Sequence, residues 1–302
     1  MKSKGKKPSF TIVELLVVMS IIIILIAMLI PSLNAVRRFA RKVTQHSQFH
    51  DITNALETFS SRRPEEGYPD SSALDLDGDS YCGAMKLCEV MVGQDGLGLH
   101  QDSVFDNMGK DKNGNDLYYN RVATKPTPPY SPAEEQNMRS RDVKYLEGGN
   151  AQIVSIETVF PVNYGIFDPC CPVLCDVYKR TDLKNPLTGE KMGMPILYYK
   201  ADPSKLTHDA NEIGAGPLSG TNIYNYWDNH ELVEIDVPWL VAPNNKHPMW
   251  ASDGKSLPFY NNTRDSSVPV VDKPHNQESF ILISAGFDGL YGTNDDIFNF
   301  TE

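Results

Sequence analysis

Three groups of side chains in this 302-residue chain stand where surface solvation alone does not explain them. Glu14 lies inside the apolar stretch Phe10–Leu33, FTIVELLVVMSIIIILIAMLIPSL. An unpaired carboxylate at that depth in hydrocarbon costs at least ~2–3 kcal/mol, so it calls for a partner. Asp288, Asp295 and Asp296 fall in the closing stretch Ser284-Ala-Gly-Phe-Asp288-Gly-Leu-Tyr-Gly-Thr-Asn-Asp295-Asp296-Ile297. Gly286, Gly289 and Gly292 permit turns that fold these carboxylates together, and with loop carbonyls they would form the hard oxygen shell that Ca²⁺ prefers. The bland alternative is a solvated acidic turn. The five cysteines form the third group; a Cys82–Cys88 disulfide is the simplest local loop, while Cys170, Cys171 and Cys175 lack the second ligand pair of a structural zinc site.

Other chemistry leaves little trace. The chain carries no G-x-S-x-G, no G-x-x-x-x-G-K-[ST] and no H-E-x-x-H, and His230-Glu231-Leu-Val-Glu234 misses the second histidine. A non-enzymatic protein is expected.

The element that must position Glu14 is a helix. From Leu15 to Val36 no side chain is charged, and 22 helical residues reach roughly 33 Å, enough to cross a hydrocarbon core of about 30 Å. Met1–Ser9 (MKSKGKKPS) holds four lysines and no acid, which by the positive-inside rule keeps the N-terminus cytoplasmic and the rest of the chain outside. An ordinary signal peptide fits poorly, because its apolar region is shorter and carries no acid, and no A-x-A-like site follows here.

These residues resemble the N-terminal segment of type IV prepilins and type II secretion pseudopilins. A short basic leader precedes a small residue and a phenylalanine, here Ser9 and Phe10, and Thr11-Ile12-Val13-Glu14-Leu15 is similar to the family's F-T-L-I-E-L. Pro31 falls where the family often has a helix-kinking proline, and Ser9 stands where it usually has glycine. The resemblance implies cleavage before Phe10 by a prepilin peptidase and methylation of the new amine. It implies too that the subunit is passed to an inner-membrane assembly platform and polymerises. In such a bundle Glu14 of one copy would pair with the Phe10 amine of a neighbour, offsetting the burial of both charges and fixing register.

Past Pro31 the pattern changes. Val36, Phe39, Val43, Ile52, Leu56 and Phe59 recur at three- and four-residue steps, predicting one apolar stripe on an amphipathic helix that lies across a globular domain. Pro64, Gly67 and Pro69 end it, giving a helix on the order of 80 Å from Phe10 to about Arg62. Ala55–Pro69 also resembles the family's A-L-x-x-F/Y…G-x-Y-P junction. Arg37, Arg38, Arg41 and Lys42 follow the apolar run, where they would meet lipid headgroups or neighbouring subunits. The net charge is −11, and loss of the leader lysines would take it to −15, which argues against nucleic acid as a partner.

Residues 64–191 read as a large irregular insertion. Asp75-Leu-Asp77-Gly-Asp79 and Asp111-Lys-Asn113-Gly-Asn115 alternate oxygen side chains but complete no EF-hand, so they read as Asx turns. Gln152–Val162, Met194–Lys200, Asn222–Trp227, Glu231–Val237 and Ser279–Ser284 read as strands, the last four forming an antiparallel sheet. Gly193-Met-Pro195-Ile-Leu-Tyr198 resembles the family's strand entry. The closing loop is similar to the S-x-G-x-D-G…G-T-D-D-I calcium loop of major pseudopilins, which implies Asp288, Asp295 and Asp296 as side-chain ligands, with the carbonyls of Leu290 and Thr293.

The expectation is therefore an α+β, pilin-like fold, with a long N-terminal helix packed on a C-terminal antiparallel sheet. Its parts are a cytoplasmic leader (1–9), a transmembrane and assembly half-helix (10–33), an amphipathic half-helix (34–63), an insertion (64–191) and a sheet with a calcium-like loop (192–302). The expected role is a structural subunit of a type II secretion pseudopilus, single-pass in the inner membrane with its C-terminal domain outside the cytoplasm, then part of a periplasmic or extracellular filament. Alternatives are a type IV or DNA-uptake pilin, or a monomeric membrane-anchored binding module.

Overall fold

The apolar run and the amphipathic stretch form one uninterrupted helix, α1 (Ile12–Arg62). It belongs to a computed structural model that describes residues 11–118, 131–146, 152–186, 188–212, 214, 216–241, 243, 245–250, 256–267 and 272–300. The chain divides into two units, Met1–Val43 and Thr44–Glu302.

In the first unit every residue from Thr11 to Val43 is exposed. The polar side chains of the apolar run are satisfied within the helix, as a low-dielectric surrounding demands. The hydroxyl of Ser20 donates to the Val17 carbonyl at 2.7 Å and that of Ser32 to the Leu29 carbonyl at 2.8 Å. Helix α1 continues through Pro31, which has no N–H to give the carbonyl four residues earlier, that of Ala27.

The second unit holds the core. From Thr44 onward α1 buries Gln45, Gln48, Phe49, Ile52, Ala55, Leu56 and Phe59, a stripe at helical spacing. Val36, Phe39 and Val43, expected in the same stripe, are exposed, so the buried face begins at a pair of glutamines. Gln45 donates to the side chain of Gln48 at 2.9 Å and accepts from the Val177 N–H at 3.0 Å, while Gln48 donates to the Cys175 carbonyl at 3.0 Å.

After α1 come α2 (Gly83–Val92), α3 (Pro132–Arg139), β1 (Gln152–Ser155), α4 (Ile156–Val159) and β2 (Pro172–Cys175). Then follow β3 (Leu197–Lys200), a 3₁₀ turn (Tyr226–Asn229), α5 (His230–Glu234), α6 (Leu257–Thr263), β4 (Phe280–Ser284) and β5 (Ile297–Phe298). β1 pairs antiparallel with β2, and β3-β4-β5 form a three-stranded antiparallel sheet with Tyr198 opposite Leu282. The Ile196 N–H donates to the Leu174 carbonyl and the Asp176 N–H to the Met194 carbonyl, both at 2.8 Å, which joins the end of β2 to the entry of β3.

The three-stranded sheet is buried on both faces. Leu197, Tyr199, Ile281 and Ile283 enter one core with Tyr226, Phe259 and Tyr291. Tyr198, Phe280 and Leu282 enter the other with Phe49, Ile52, Leu56 and Phe59 of α1. Residues 64–191 are not peripheral to this arrangement: α2 is buried along its whole length and contributes to both cores. Gly83 is required at its start, because a Cβ there would stand 2.3 Å from the Tyr198 carbonyl oxygen. Asn229 ties the same two elements, accepting from the Ala84 N–H at 2.8 Å and donating to the Tyr198 carbonyl at 2.7 Å.

Buried charge in this unit is answered by donors. Glu89 accepts from Tyr81 and Tyr118 hydroxyls, each at 2.7 Å, from Gln94 at 2.9 Å, and from Ser103. Arg141 and Asp95, 3% and 2% exposed, form a two-pronged pair at 3.1 and 2.8 Å, with the guanidinium 4.6 Å from the Tyr118 ring centre.

Several expectations need correction. Asn222–Trp227 and Glu231–Val237 are not strands: the Asn225 side chain accepts from the Trp227 N–H, starting the 3₁₀ turn that leads into α5. Gln152–Val162 is a strand only through Ser155 and then turns into α4. Cys82 and Cys88 are not joined. Cys82 caps α2 and Cys88 lies within it, so their Cα atoms are separated by about 9 Å of helix, beyond the reach of a disulfide. Burial instead pushes the Cys82 thiol up to about 12 and the Cys88 thiol higher still.

Candidate functional site

Two places carry the chemistry singled out in the sequence, one in each unit. In the first, Thr11 and Glu14 form a reciprocal cap. The Thr11 N–H and hydroxyl donate to one oxygen of Glu14 at 2.9 and 2.7 Å, and the Glu14 N–H donates back to the Thr11 hydroxyl at 3.2 Å. This is a capping box, which satisfies N–H groups that a helix start leaves without partners. Glu14 thus has a local partner that the apolar spacing did not disclose, although the T-x-x-E signal was legible. Ser9 and Phe10 lie outside the described residues, so the expected cleavage point has no geometry here.

In the second unit, the turns at Gly286 (φ 62°) and Gly292 (φ 90°) fold Asp288, Asp295 and Asp296 into one loop, as their spacing predicted. Gly286 also allows a close approach, since a Cβ there would meet the Asp295 carbonyl oxygen at 2.1 Å. Most carboxylate oxygens are used by the loop itself. The Asp288 N–H donates to Asp295 at 2.9 Å, the Thr293 hydroxyl to Asp295 at 2.6 Å, the Leu290 N–H to Asp288 at 2.8 Å and the Gly292 N–H to Asp296 at 2.7 Å. The second oxygen of Asp296 is buried without a partner.

The electrostatics follow from that crowding. Burial and the neighbouring Asp295 push Asp288 up, and burial pushes Asp296 well above the carboxylate range, with Asp288 and Asp295 adding to it. Burial acts on Asp295 in the same direction, but the Thr293 hydroxyl and the Asp288 N–H outweigh it and hold Asp295 below that range. Among the described residues no group of three or more His, Cys, Asp and Glu side chains is placed to hold a metal ion. The loop brings the three acids together without converging them on one point.

Two partners of this loop were not visible in the sequence. Arg180 donates to the carbonyls of Phe287 and Asp288, pairs with Asp182 at 3.1 Å and lies 4.0 Å from the Trp239 ring centre, so a cation already serves the loop backbone. Asp176, fully buried, accepts from Ser284 at 2.7 Å and from the N–H groups of Tyr178 and Met194 at 3.0 and 3.2 Å. Burial raises it to about 7 despite those donors. Nothing in the local sequence ties Arg180 or Asp176 to this loop, because the loop groups they meet, the Asp288 carbonyl and the Ser284 hydroxyl, lie more than 100 residues away.

The Asx loops match their reading as turns. Asp75 accepts from the Asp77 and Asp79 N–H groups at 3.1 and 2.8 Å, and Asp111 from those of Asn113 and Asn115, both at 2.8 Å. Asp106 caps Met108 and Lys110 in the same way at 2.9 Å, a third copy of the pattern. His230, Glu231 and Glu234 line a surface cleft of about 510 Å³ with Trp227 and Lys246. Burial holds His230 below the usual imidazole range and Glu231 above the usual carboxylate range.

No family model matches the chain, and neither a curated protein nor a solved structure proves similar to it.

Proposed function

We propose that this protein is a membrane-held structural subunit of pilin type, processed before Phe10 and polymerised through the first half of α1 into a type II secretion pseudopilus. The observation that carries the reading is the surface of residues 11–43: exposed throughout, apolar over a length that spans a bilayer, with Glu14 as its sole acid. A helix with no interior of its own must find its surroundings elsewhere, first in lipid and then among like helices. The amine created at Phe10 would stand next to the Thr11–Glu14 cap, so the same carboxylate can close the helix start and face a neighbour's charge.

The cap sharpens the test. Glu14→Gln keeps the capping geometry, since glutamine serves equally at that position, but removes the charge. Glu14→Ala removes both. The expected outcome is that both variants reach the membrane fraction at wild-type levels and neither forms filaments in electron micrographs of sheared cells. Wild-type assembly by the glutamine variant would reduce Glu14 to a cap and refute the intersubunit pair.

Calcium at the C-terminal loop is a second part of the proposal. The unpartnered oxygen of Asp296 and the mutual crowding of Asp288, Asp295 and Asp296 support it, and the ion would draw the three carboxylates together with the Leu290 and Thr293 carbonyls. At a hundredfold excess over its Kd such an ion stabilises a fold by about 2.7 kcal/mol. Calcium is expected to raise the melting temperature of the full chain in detergent and to leave Asp295→Ala unmoved. Equal melting of the wild type with and without the ion contradicts the site.

A further inference from the structure

One stretch of α1 is used neither by the apolar span nor by the core. Between Leu33 and Thr44 the helix carries Arg37, Arg38, Arg41 and Lys42, and no acid occurs anywhere between Glu14 and Asp51. At 100° per residue the four cations occupy an arc of about 140°, in two adjacent i,i+4 rows. Val36, Phe39 and Val43 gather within about 60° on the remaining side. All seven side chains are exposed, the apolar three by 62%, 69% and 53%. The segment is amphipathic with both faces uncovered, and it continues directly from a helix able to cross a membrane.

Axial distances decide what fits it. Arg37 stands four residues past Leu33 and Lys42 nine past, about 6 and 13 Å along the axis. The polar layer on each side of a bilayer is about 5–8 Å deep. Side chains on a helix lean toward its N-terminus, which here is the bilayer side, and Arg and Lys extend their charged ends along that direction. All four charges therefore return toward the level of the lipid phosphates, and Val36, three residues past Leu33, lies nearest the acyl boundary.

We propose that residues 36–43 form a docking face for anionic phospholipid headgroups, with Arg37, Arg38, Arg41 and Lys42 as the contacts. This rests on the reading of α1 as a membrane span. Each cation close to an anionic surface strengthens binding roughly fivefold, so the face should discriminate lipids by charge. An acidic second copy of the chain is the competing occupant.

The full chain in detergent is mixed with equal amounts of phosphatidylglycerol and phosphatidylcholine, and retained lipid is counted by native mass spectrometry. Phosphatidylglycerol should be retained at least tenfold over phosphatidylcholine, and R37Q/R38Q/R41Q/K42Q should bring the ratio within twofold. R37K/R38K/R41K, which keeps the charge, should preserve it. Inorganic phosphate at 10 mM should not displace the lipid; displacement would mean an anion site and overturn the proposal. So would a wild-type ratio near one, or an unchanged ratio in the glutamine variant with self-association lost. Insertion of the wild type into vesicles of phosphatidylcholine alone tests the span separately. A chain that inserts but shows no charge preference refutes only the docking face, whereas one that does not insert refutes the span.

Discussion

The two halves of α1 share one backbone and differ in almost everything their side chains meet. Residues 12–43 expose every side chain, whereas residues 44–62 bury seven at helical spacing against β2, β3, β4 and α2. The first half is the more apolar, yet it is the second that stabilises the fold. Apolar surface alone does not make a core. It does so where other elements of the same chain supply the complementary face, and where they do not, the surface addresses lipid or another copy.

The sharpest way to break that comparison is a matched pair of truncations. Phe59 is fully buried and Phe39 is 69% exposed. Phe59→Ala should destabilise the chain by about 3–5 kcal/mol, as emptied aromatic sites do, while Phe39→Ala should stay within about 0.5 kcal/mol. Chemical denaturation of the full chain in detergent checks both, and similar losses would mean that the two halves are not differently used.

A second difference is pH. In the globular unit Asp176 is fully buried with its carboxyl raised from 3.8 to about 7. A raised carboxyl keeps its proton in the folded state after the unfolded chain has lost it. Its contribution therefore costs nothing below about pH 4 and falls by about 1.4 kcal/mol per pH unit until the folded group also ionises near pH 7. Asp176→Asn should remove that decline, so that wild type and variant diverge in stability between pH 4 and 7 and run parallel above it. Parallel curves throughout would show that Asp176 is charged in the fold.

How much of this was legible in the sequence depends on where each residue's partner lies. The apolar run, the breakers after Arg62, the Asx turns and the closing acidic loop depend on neighbours a few residues away, and the sequence displays them. The Gln45–Gln48 pair, the Asn229 tie and the Glu89 network depend on partners 12 to 145 residues distant as well as near ones, and local pattern is blind to those. Tyr224, Tyr226 and Val233 have strand-forming side chains, but packing around Phe259 and the cap of Asn225 commit the segment to turn and helix. Cys82 and Cys88 misled because spacing does not reveal that a helix separates them. Charge leaves the orientation of the span to experiment: four lysines in Met1–Ser9 face Arg37, Arg38, Arg41 and Lys42 on the other flank.

The central claim is that the first half of α1 begins at Phe10 in the mature protein. Mass spectrometry of the N-terminal peptide from membrane-extracted chain tests it directly. A peptide starting at N-methylated Phe10 is expected, and an intact Met1, or a start at Val36 after cleavage behind Ala35, would contradict it.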